Sequence, residues 1–416
     1  MAQVTSTVAA PEVEADASRV AGYGRSMHPP DLLAPDFWAD LDAMHAFFTE
    51  ARAAGPVWRD EKHGLWAVVR HAEVLDVERR SEVFRSRPAY RSWGSVDEMD
   101  MIAQDDPEHL AQRGVVRARF TPRAIDSMTP VLERLVVDRV DDLVATVARD
   151  GDAEVVDVLA AQLPCRLTTN LLGFPEDRWR DVQGWSERLM RIDAAAADMD
   201  VAMGMMSAIQ EFSEVLATTA EARRGCPADD LVSDWVGADF DELQMVHETG
   251  LFISGGAETT RTVIARGLRV LADHPDQWEA AANDPVLVPG LVEETIRWVT
   301  PLNNFFRTAA APTRIGGTDI AAGDRICLVY PSANRDDAVF ADPFAFDIRR
   351  SPNPHLAFGH GTHFCLGINL ARTELRILFR ELTRRVTNLR VVAEPDIEPN
   401  VFAGAVRSFR IAFDQR

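Results

Sequence analysis

Lysine is almost absent from this chain: Lys62 is the only one, so arginine carries nearly all of the 44 basic positions. They face 65 acidic residues, for a net charge of −21. That balance argues against nucleic acid or an anionic membrane surface as a main partner. Cysteine is also scarce. Cys165, Cys226, Cys327 and Cys365 show no CxxC spacing in 416 residues, so they are no disulfide framework, and a reducing cytoplasm is expected. The opening MAQVTSTVAAPEVEADASRVAGYG has no basic n-region and no sustained apolar core, so neither a signal peptide nor a membrane anchor is read. Residues 1–25 are expected to be a flexible Ala/Glu/Pro-containing arm. Internal repeats, low-complexity linkers and any flavin- or iron–sulfur-like segment are missing as well.

What is present is helical periodicity. DSMTPVLERLVVDRVDDLVATVARDG repeats apolar residues at i, i+3, i+4 and i+7 and stops at Gly151. A longer pattern runs from about Phe240 to Asp273 and is apolar on most faces near Leu251 to Ile253, which implies a buried central helix. VPGLVEETIRWVTP reads as a short helix ended by Pro301. Strand signals are few: GLWAVVR, and TRIGGTDIAAGDRICLVYP with its Gly turns. The expected fold is mainly α, one large domain over 26–416 with a small β-rich region, despite a length prior of ~150 residues per domain.

Four groups of residues stand out. In NPHLAFGHGTHFCLGINLARTELRILFREL, Cys365 stands at a helix mouth behind a glycine-rich loop. A buried, inert thiol accounts for Cys165 and Cys327 but leaves this setting unexplained. Unpaired amides and the positive helix end favour thiolate, and Gly359, Gly361 and Gly367 leave room for a flat ligand or for the loop's own turns. The arrangement suits a thiolate on a haem iron; a His363/Cys365 zinc site lacks further ligands at zinc spacing. In GLFISGGAETTRTV, the adjacent Gly255 and Gly256 cost ~1 kcal/mol each inside a helix relative to alanine. A kink or a tight helix crossing would explain them equally well. Glu258-Thr259 sharpens the reading: a Thr259 hydroxyl returned to a carbonyl one turn earlier would open a notch, and the pair could relay protons. Glu294 and Arg297 form an i,i+3 pair, which in isolation is most often a solvated helix face. His109 and Arg113 lie at i and i+4 in a basic run with Arg117, Arg119 and Arg123.

F-G-x-G-x-H-x-C-x-G is satisfied at Phe358, Gly359, Gly361, His363, Cys365 and Gly367, and it resembles the haem-binding signature of the cytochrome P450 family of haem-thiolate monooxygenases. G-G-x-E-T-T resembles that family's oxygen-activation motif, and Glu294-x-x-Arg297 its ExxR motif. The motifs fall in family order, and the resemblance runs from about GLWAVVR to the C-terminus. It implies haem b (iron protoporphyrin IX) between the long central helix and the Cys-loop helix, with Cys365 on the iron. Gly255, Gly256, Phe358 and Gly367 would lie against the haem, and Glu258 and Thr259 would be catalytic. Glu294, Arg297 and Arg350 become scaffold, and His109, Arg113, Arg307 and His363 partners of the haem propionates. Electrons would come from a separate ferredoxin and ferredoxin reductase docking near Arg113, Arg117 and Arg119, and the enzyme is expected to be a cytoplasmic monomer. Retention of Glu258-Thr259 favours dioxygen over peroxide as oxidant; a non-catalytic haem sensor or carrier is the rival class.

Substrate choice rests on walls above the haem. The stretches RPAYRSWGSVDEMDMIAQ, RLMRIDAAAADMDVAMGMMSAIQEF, TPLNNFF and NVFAGAV are the candidates, with Met190, Met203, Leu251, Leu302, Asn303, Asn304, Val401 and Phe402 as pocket residues. Met190, Met199, Met203, Met205 and Met206 suit an adaptable apolar site or a helix core equally. IRWVTPLNN and SPNPHLAFGHGTHFCLG resemble actinobacterial oxidases of sterol side chains and related lipids. A steroid- or lipid-like hydrophobe is therefore the first expectation, for hydroxylation or epoxidation, and a polyketide, terpene or peptide the second.

Overall fold

A 32-residue helix, Glu242–Asp273, runs through the middle of the molecule. Its start is set by a capping box: Asp241 Oδ1 accepts the Gln244 amide at 2.8 Å, and Gln244 Oε1 accepts the Asp241 amide at 3.2 Å. Six consecutive residues, Thr260 to Ala265, are buried, so the helix is enclosed on every face along that stretch. It packs on the helices Gln162–Leu172, Trp179–Leu189 and Val288–Val299. The computed structural model describes residues 30–93, 98–195 and 198–416. Asp31–Arg416 packs as one unit; the expected arm, 1–25, lies outside the described residues.

The helix expected to stop at Gly151 spans Pro122–Asp150, with Thr121 and Pro122 at its start and Gly151 at φ 87° past its end. It lies against Ile368–Arg385, the helix that follows Cys365. Val288–Val299 ends at Thr300, held at φ 41° by Asn334, which donates to its hydroxyl at 2.9 Å. The chain then turns at Pro301 into the strand Asn304–Ala309. Among the described residues, no helix is long and apolar enough to cross a membrane.

The β part is small. A five-stranded sheet has the order Val57–Asp60, Leu65–Val68, Arg325–Val329, Asn304–Ala309, Phe84–Arg85. Both GLWAVVR and the end of TRIGGTDIAAGDRICLVYP therefore form strands, and they pair in parallel, Ala67 opposite Cys327. Asn304–Ala309 is antiparallel to Arg325–Val329 and sets Arg307 opposite Ile326. A second sheet joins Ala153–Glu154, Val406–Gln415 and Val386–Ile397. Cys165 and Cys327 are buried in the apolar core, as read from their surroundings in sequence.

Candidate active site

The Cys365 loop is shaped by backbone. The Cys365 amide donates to the Phe358 carbonyl at 2.9 Å, and the Gly359 amide to Leu356 at 2.9 Å. Gly359 and Gly361 hold φ values of 66° and 71°. A Cβ on Gly361 would stand 2.1 Å from the Glu78 carbonyl oxygen, so this glycine serves the packing of the loop on the His71–Arg79 helix. A Cβ on Gly367 would meet only Cys365 Sγ, at 4.0 Å. Burial pushes the Cys365 thiol up, opposed by the Gly367 amide and the Arg113 and Arg372 guanidiniums. The helix-end donors are therefore present but do not alone outweigh burial. A cation on the sulfur reverses that balance, because a coordinating thiol gives up its proton.

Facing the thiol across a cavity is the central helix. Leu251, Gly255, Gly256 and Thr259 line it on one side, and Phe358, Cys365 and Gly367 on the other. Thr259 Oγ1 donates to the Gly255 carbonyl at 2.9 Å, the bond that the sequence suggested. The two glycines differ in surroundings. A Cβ on Gly255 would meet nothing within 4 Å, whereas one on Gly256 would stand 2.8 Å from Thr168 Oγ1. Gly256 thus allows the close crossing with the Gln162–Leu172 helix.

Glu258 departs from expectation. It is 2% exposed and is not on the cavity wall. Helical rotation turns it toward Arg261, 3.6 Å away, which also donates to Glu187 at 2.6 Å and to the Val406 carbonyl at 3.0 Å. Burial raises its pKa, Arg261 lowers it, and the net direction is up. Its Oε1 has no partner.

One edge of the cavity is cationic. His109, Arg113, Arg307 and His363 all line it. The His109 and His363 rings lie 4.2 Å apart between centroids. His109 is fully buried, with Nδ1 3.0 Å from Asp106 and Nε2 without a partner. Arg113 donates to the Phe364 carbonyl at 2.5 Å and Arg307 to the Phe306 carbonyl at 2.9 Å; among the described residues neither has a carboxylate within ion-pair distance. Burial, then Arg307, His109 and Arg113, pull His363 down to about 2, which leaves the ring neutral. Guanidiniums without a carboxylate call for anions, and an anion beside the free Nε2 of His109 would favour the protonated ring, in which that nitrogen donates. Two propionates on a flat macrocycle meet that demand, so the residues present fit a haem.

Glu78 was not foreseen. It lines the same cavity, accepts from the Tyr330 hydroxyl at 2.6 Å, and burial raises it to about 7 against Arg307 and Tyr330. Only tertiary packing brings HAEVLDVERR to this place.

Glu294 and Arg297 are fully buried, away from the cavity. Arg297 Nε and NH2 donate to the Glu294 carboxylate at 2.8 and 2.7 Å, and Arg297 also reaches the Asn334 and Pro343 carbonyls at 2.9 and 3.0 Å. Arg350 Nε lies 3.2 Å from both Glu294 oxygens. Burial alone would raise Glu294; Arg297, the Asp347 amide and Arg350 more than offset it, and the net direction is down. The three-residue network ties the Val288–Val299 helix to the segment before the Cys loop.

Met190, Leu251, Leu302 and Phe402 line the cavity. Four other candidates do not. Met203 is 57% exposed, on the outer face of the helix Met199–Gly225. Asn303 and Asn304 spend their amides on the Val401 carbonyl, at 3.3 and 2.8 Å, and Val401 itself packs with Phe306 and Val329 in a separate core. Tyr90, Ile102 and Phe305, which lie in the candidate stretches but were not singled out within them, join the apolar wall. Of the cations expected to receive a redox partner, Arg119 pairs with Asp234 and Asp229, while Arg117 is exposed and, among the described residues, unpaired.

A mainly helical fold with a thiol, a glycine-notched helix and a cationic edge around one apolar cavity defines a haem-thiolate protein. The family profile Cytochrome P450 matches residues 277–403. A steroid C26-monooxygenase of Mycobacterium tuberculosis is 36% identical over 392 residues, covering 92% of this chain and 96% of the relative. A methyl-branched lipid omega-hydroxylase of Mycobacterium bovis is 34% identical, covering 86% and 89%. Among solved structures, a Mycobacterium marinum cytochrome P450 in complex with pseudoionone superposes with a TM-score of 0.84 at 31% identity, over 94% of this chain and 100% of that one. A mutant of P450 EryK with erythromycin B superposes at 0.80 and 31% identity, over 90% and 97%. The chain belongs to the cytochrome P450 family of monooxygenases, and its cofactor is protoporphyrin IX haem.

Proposed function

We propose that this monooxygenase hydroxylates the aliphatic end of a steroid or a methyl-branched lipid. The observation that carries the reading is the cavity: its walls toward Met190, Leu302, Phe305 and Phe402 are apolar, Arg113 and Arg307 lie at the loop edge, and the remaining lining cation, Arg91, is paired with Glu98 at 2.6 Å. An extended hydrophobe with no charge near its reacting carbon suits such walls. The names of the relatives, steroid C26-monooxygenase and methyl-branched lipid omega-hydroxylase, point the same way.

When bound, the haem supplies reduction of dioxygen by two electrons and two protons, one oxygen entering the substrate and the other leaving as water. Cys365 would hold the iron, and His109, Arg113, Arg307 and His363 would hold the propionates. Thr259 stands on the cavity wall with its hydroxyl bonded to Gly255, able to pass a proton at Oγ1. Glu258 would serve as the reservoir behind it, reaching Thr259 only by leaving Arg261. Electrons would come from an acidic ferredoxin with its reductase, meeting the exposed Arg117 near the Cys365 loop; Arg113 faces the haem cavity and Arg119 is committed to its own aspartates.

The reading is tested by titrating the haem-loaded protein with steroids bearing a full alkyl side chain, methyl-branched fatty acids and macrolides, following displacement of iron-bound water in the absorption spectrum. Turnover with surrogate ferredoxin and NAD(P)H, with product mass spectra, then locates the added oxygen. Macrolide binding without steroid or lipid binding would reverse the assignment in favour of secondary-metabolite tailoring, which the likeness to the EryK complex supports. Binding with no product and no substrate-dependent oxygen uptake would favour a haem sensor.

A further inference from the structure

Separate from the Cys365 cavity, and sharing no lining residue with it, a second cavity lies between the Leu41–Ala54 helix, the later turns of the central helix, and the region of Trp298 and Arg335. Arg266 lines it. Among the described residues its guanidinium has neither a hydrogen bond nor a carboxylate partner, and burial alone pulls it down to about 10. Arg335 also lines it and is 2% exposed. It donates to the Arg297 and Trp298 carbonyls at 3.1 and 2.9 Å and lies 4.4 Å from the Trp298 ring centroid, yet its Nε has no partner. His45 completes the group, with an enclosed Nδ1 that also has none.

Charge around this cavity is out of balance. Burial, then Arg335, Arg266, Arg52 and Arg297, hold His45 well below the usual imidazole range. Burial, then Arg297, Arg266 and Arg52, likewise depress Arg335, with Glu294 opposing. Glu294 is already committed to Arg297, and Arg52 faces Asp336 and Asp337 while donating to Ser332. Arg266 and Arg335 have no such counter-charge. Asp42 and Glu50 line the same cavity but are exposed, and neither is in ion-pair contact with either arginine. Two guanidiniums and one imidazole therefore line one cavity without a counter-charge, with Arg335 Nε and His45 Nδ1 enclosed and unbonded beside it. Buried cations need a partner, and guanidinium forks match the paired oxygens of phosphate and carboxylate.

We propose that this cavity binds a small oxyanion, phosphate or a compact carboxylate, held by Arg266, Arg335 and His45. Such an ion would tie the Leu41–Ala54 helix to the end of the helix carrying Glu294 and Arg297. It would stabilise the fold without touching substrate.

The test is thermal unfolding of the haem-loaded protein at constant ionic strength, with chloride exchanged for inorganic phosphate or acetate, and calorimetric titration of phosphate as the direct readout. A saturable rise in the midpoint with phosphate, and none with chloride, is expected. A matching rise with acetate extends the site to carboxylates; its absence restricts it to tetrahedral ions. Arg266→Leu should bind phosphate about tenfold more weakly or not at all, yet unfold no earlier than wild type in phosphate-free buffer, since a lone buried charge is gone. His45→Ala carries the same comparison if Arg266→Leu fails to fold. Equal phosphate effects in wild type and both variants, or no saturable binding, overturn the proposal. So does a loss of stability in phosphate-free Asp42→Asn/Glu50→Gln protein, which would make those carboxylates the arginines' partners.

Discussion

Glu258 and Thr259 are sequence neighbours that face opposite environments. The Thr259 hydroxyl sits on the cavity wall, bonded to Gly255 at 2.9 Å, while the Glu258 carboxyl is enclosed beside Arg261 at 3.6 Å. A helix turns ~100° per residue, so adjacent side chains cannot share one face. In the proposed relay, Glu258 and the Thr259 hydroxyl are thus separated by a side-chain movement.

Thr259→Ala should lower product formed per NAD(P)H by on the order of 10²-fold if the hydroxyl carries the proton, with oxygen uptake continuing and peroxide rising. Thr259→Ser should keep most of the yield. Assaying product and peroxide together checks this; an unchanged yield in the alanine variant would remove Thr259 from the relay.

The Gly256 contact predicts a rescue. Gly256→Ala places a Cβ 2.8 Å from Thr168 Oγ1, and overpacking of this kind costs about 1–3 kcal/mol. Thr168→Ala removes the hydroxyl and leaves its own Cβ 3.9 Å away. Chemical denaturation of the two single variants and the double variant should therefore show coupling; strictly additive losses would mean that the crossing is not limited by this contact.

Two adjacent glutamates should respond differently. Glu294→Gln leaves the buried Arg297 charge short of its partner and should cost about 3–5 kcal/mol. Glu293 takes Arg372 in a two-point contact at 2.8 and 2.6 Å and His355 at 3.2 Å, but 27% of its side chain stays exposed, so Glu293→Gln should cost less, about 1–2 kcal/mol. Comparable unfolding free energies for both would contradict a scaffold built on the buried pair.

Glu248 predicts a pH dependence. Burial, then Asp100, raise it to about 8, although its Oε1 accepts the Met101 amide at 2.8 Å. The folded state therefore holds a proton that the unfolded chain releases near the ordinary glutamate range. The stability this contributes is complete below about pH 4 and is lost as pH rises through about 8. Glu248→Gln keeps an acceptor for Met101 and should flatten the decline between pH 6 and about 8.5 by on the order of 2–4 kcal/mol. Parallel pH profiles for wild type and variant would show that Glu248 is not the group responsible.

Cys365→Ser should abolish the red-shifted carbon monoxide band that marks thiolate-bound haem. His109→Ala should keep that band but release haem faster, because the imidazole that a propionate would protonate at its free Nε2 is gone. A persistent band in Cys365→Ser refutes the ligand assignment.

The helices around Gly151, Phe240–Asp273 and Val288–Pro301 were legible because their periods, caps and terminators are local. The loop glycines were legible for a similar reason: φ values of 66° and 71° at Gly359 and Gly361 are a demand on individual residues. Pocket residues were legible only in part. Asn303, Asn304 and Val401 lie in stretches that do reach the cavity, but both asparagine amides are spent on the Val401 carbonyl and Val401 sits in a separate core, while Leu302 and Phe402 turn inward; those pairings join segments about a hundred positions apart. Arg119 reads as one more member of a basic run until Asp229 and Asp234, over a hundred positions away, are folded onto it.

By itself, then, the sequence determined the helical class, the thiol at a helix mouth and the order of the motifs that assign the chain to its family. Each of these is written in spacing along one segment. Tertiary structure decided that Gly256 answers to Thr168, that Glu258 is withdrawn from the cavity, that Glu78 joins it, and that Arg266 and Arg335 are left without a counter-charge. Those outcomes depend on which distant side chains share a small volume of low dielectric, where burial and pairing are settled between segments and not within them.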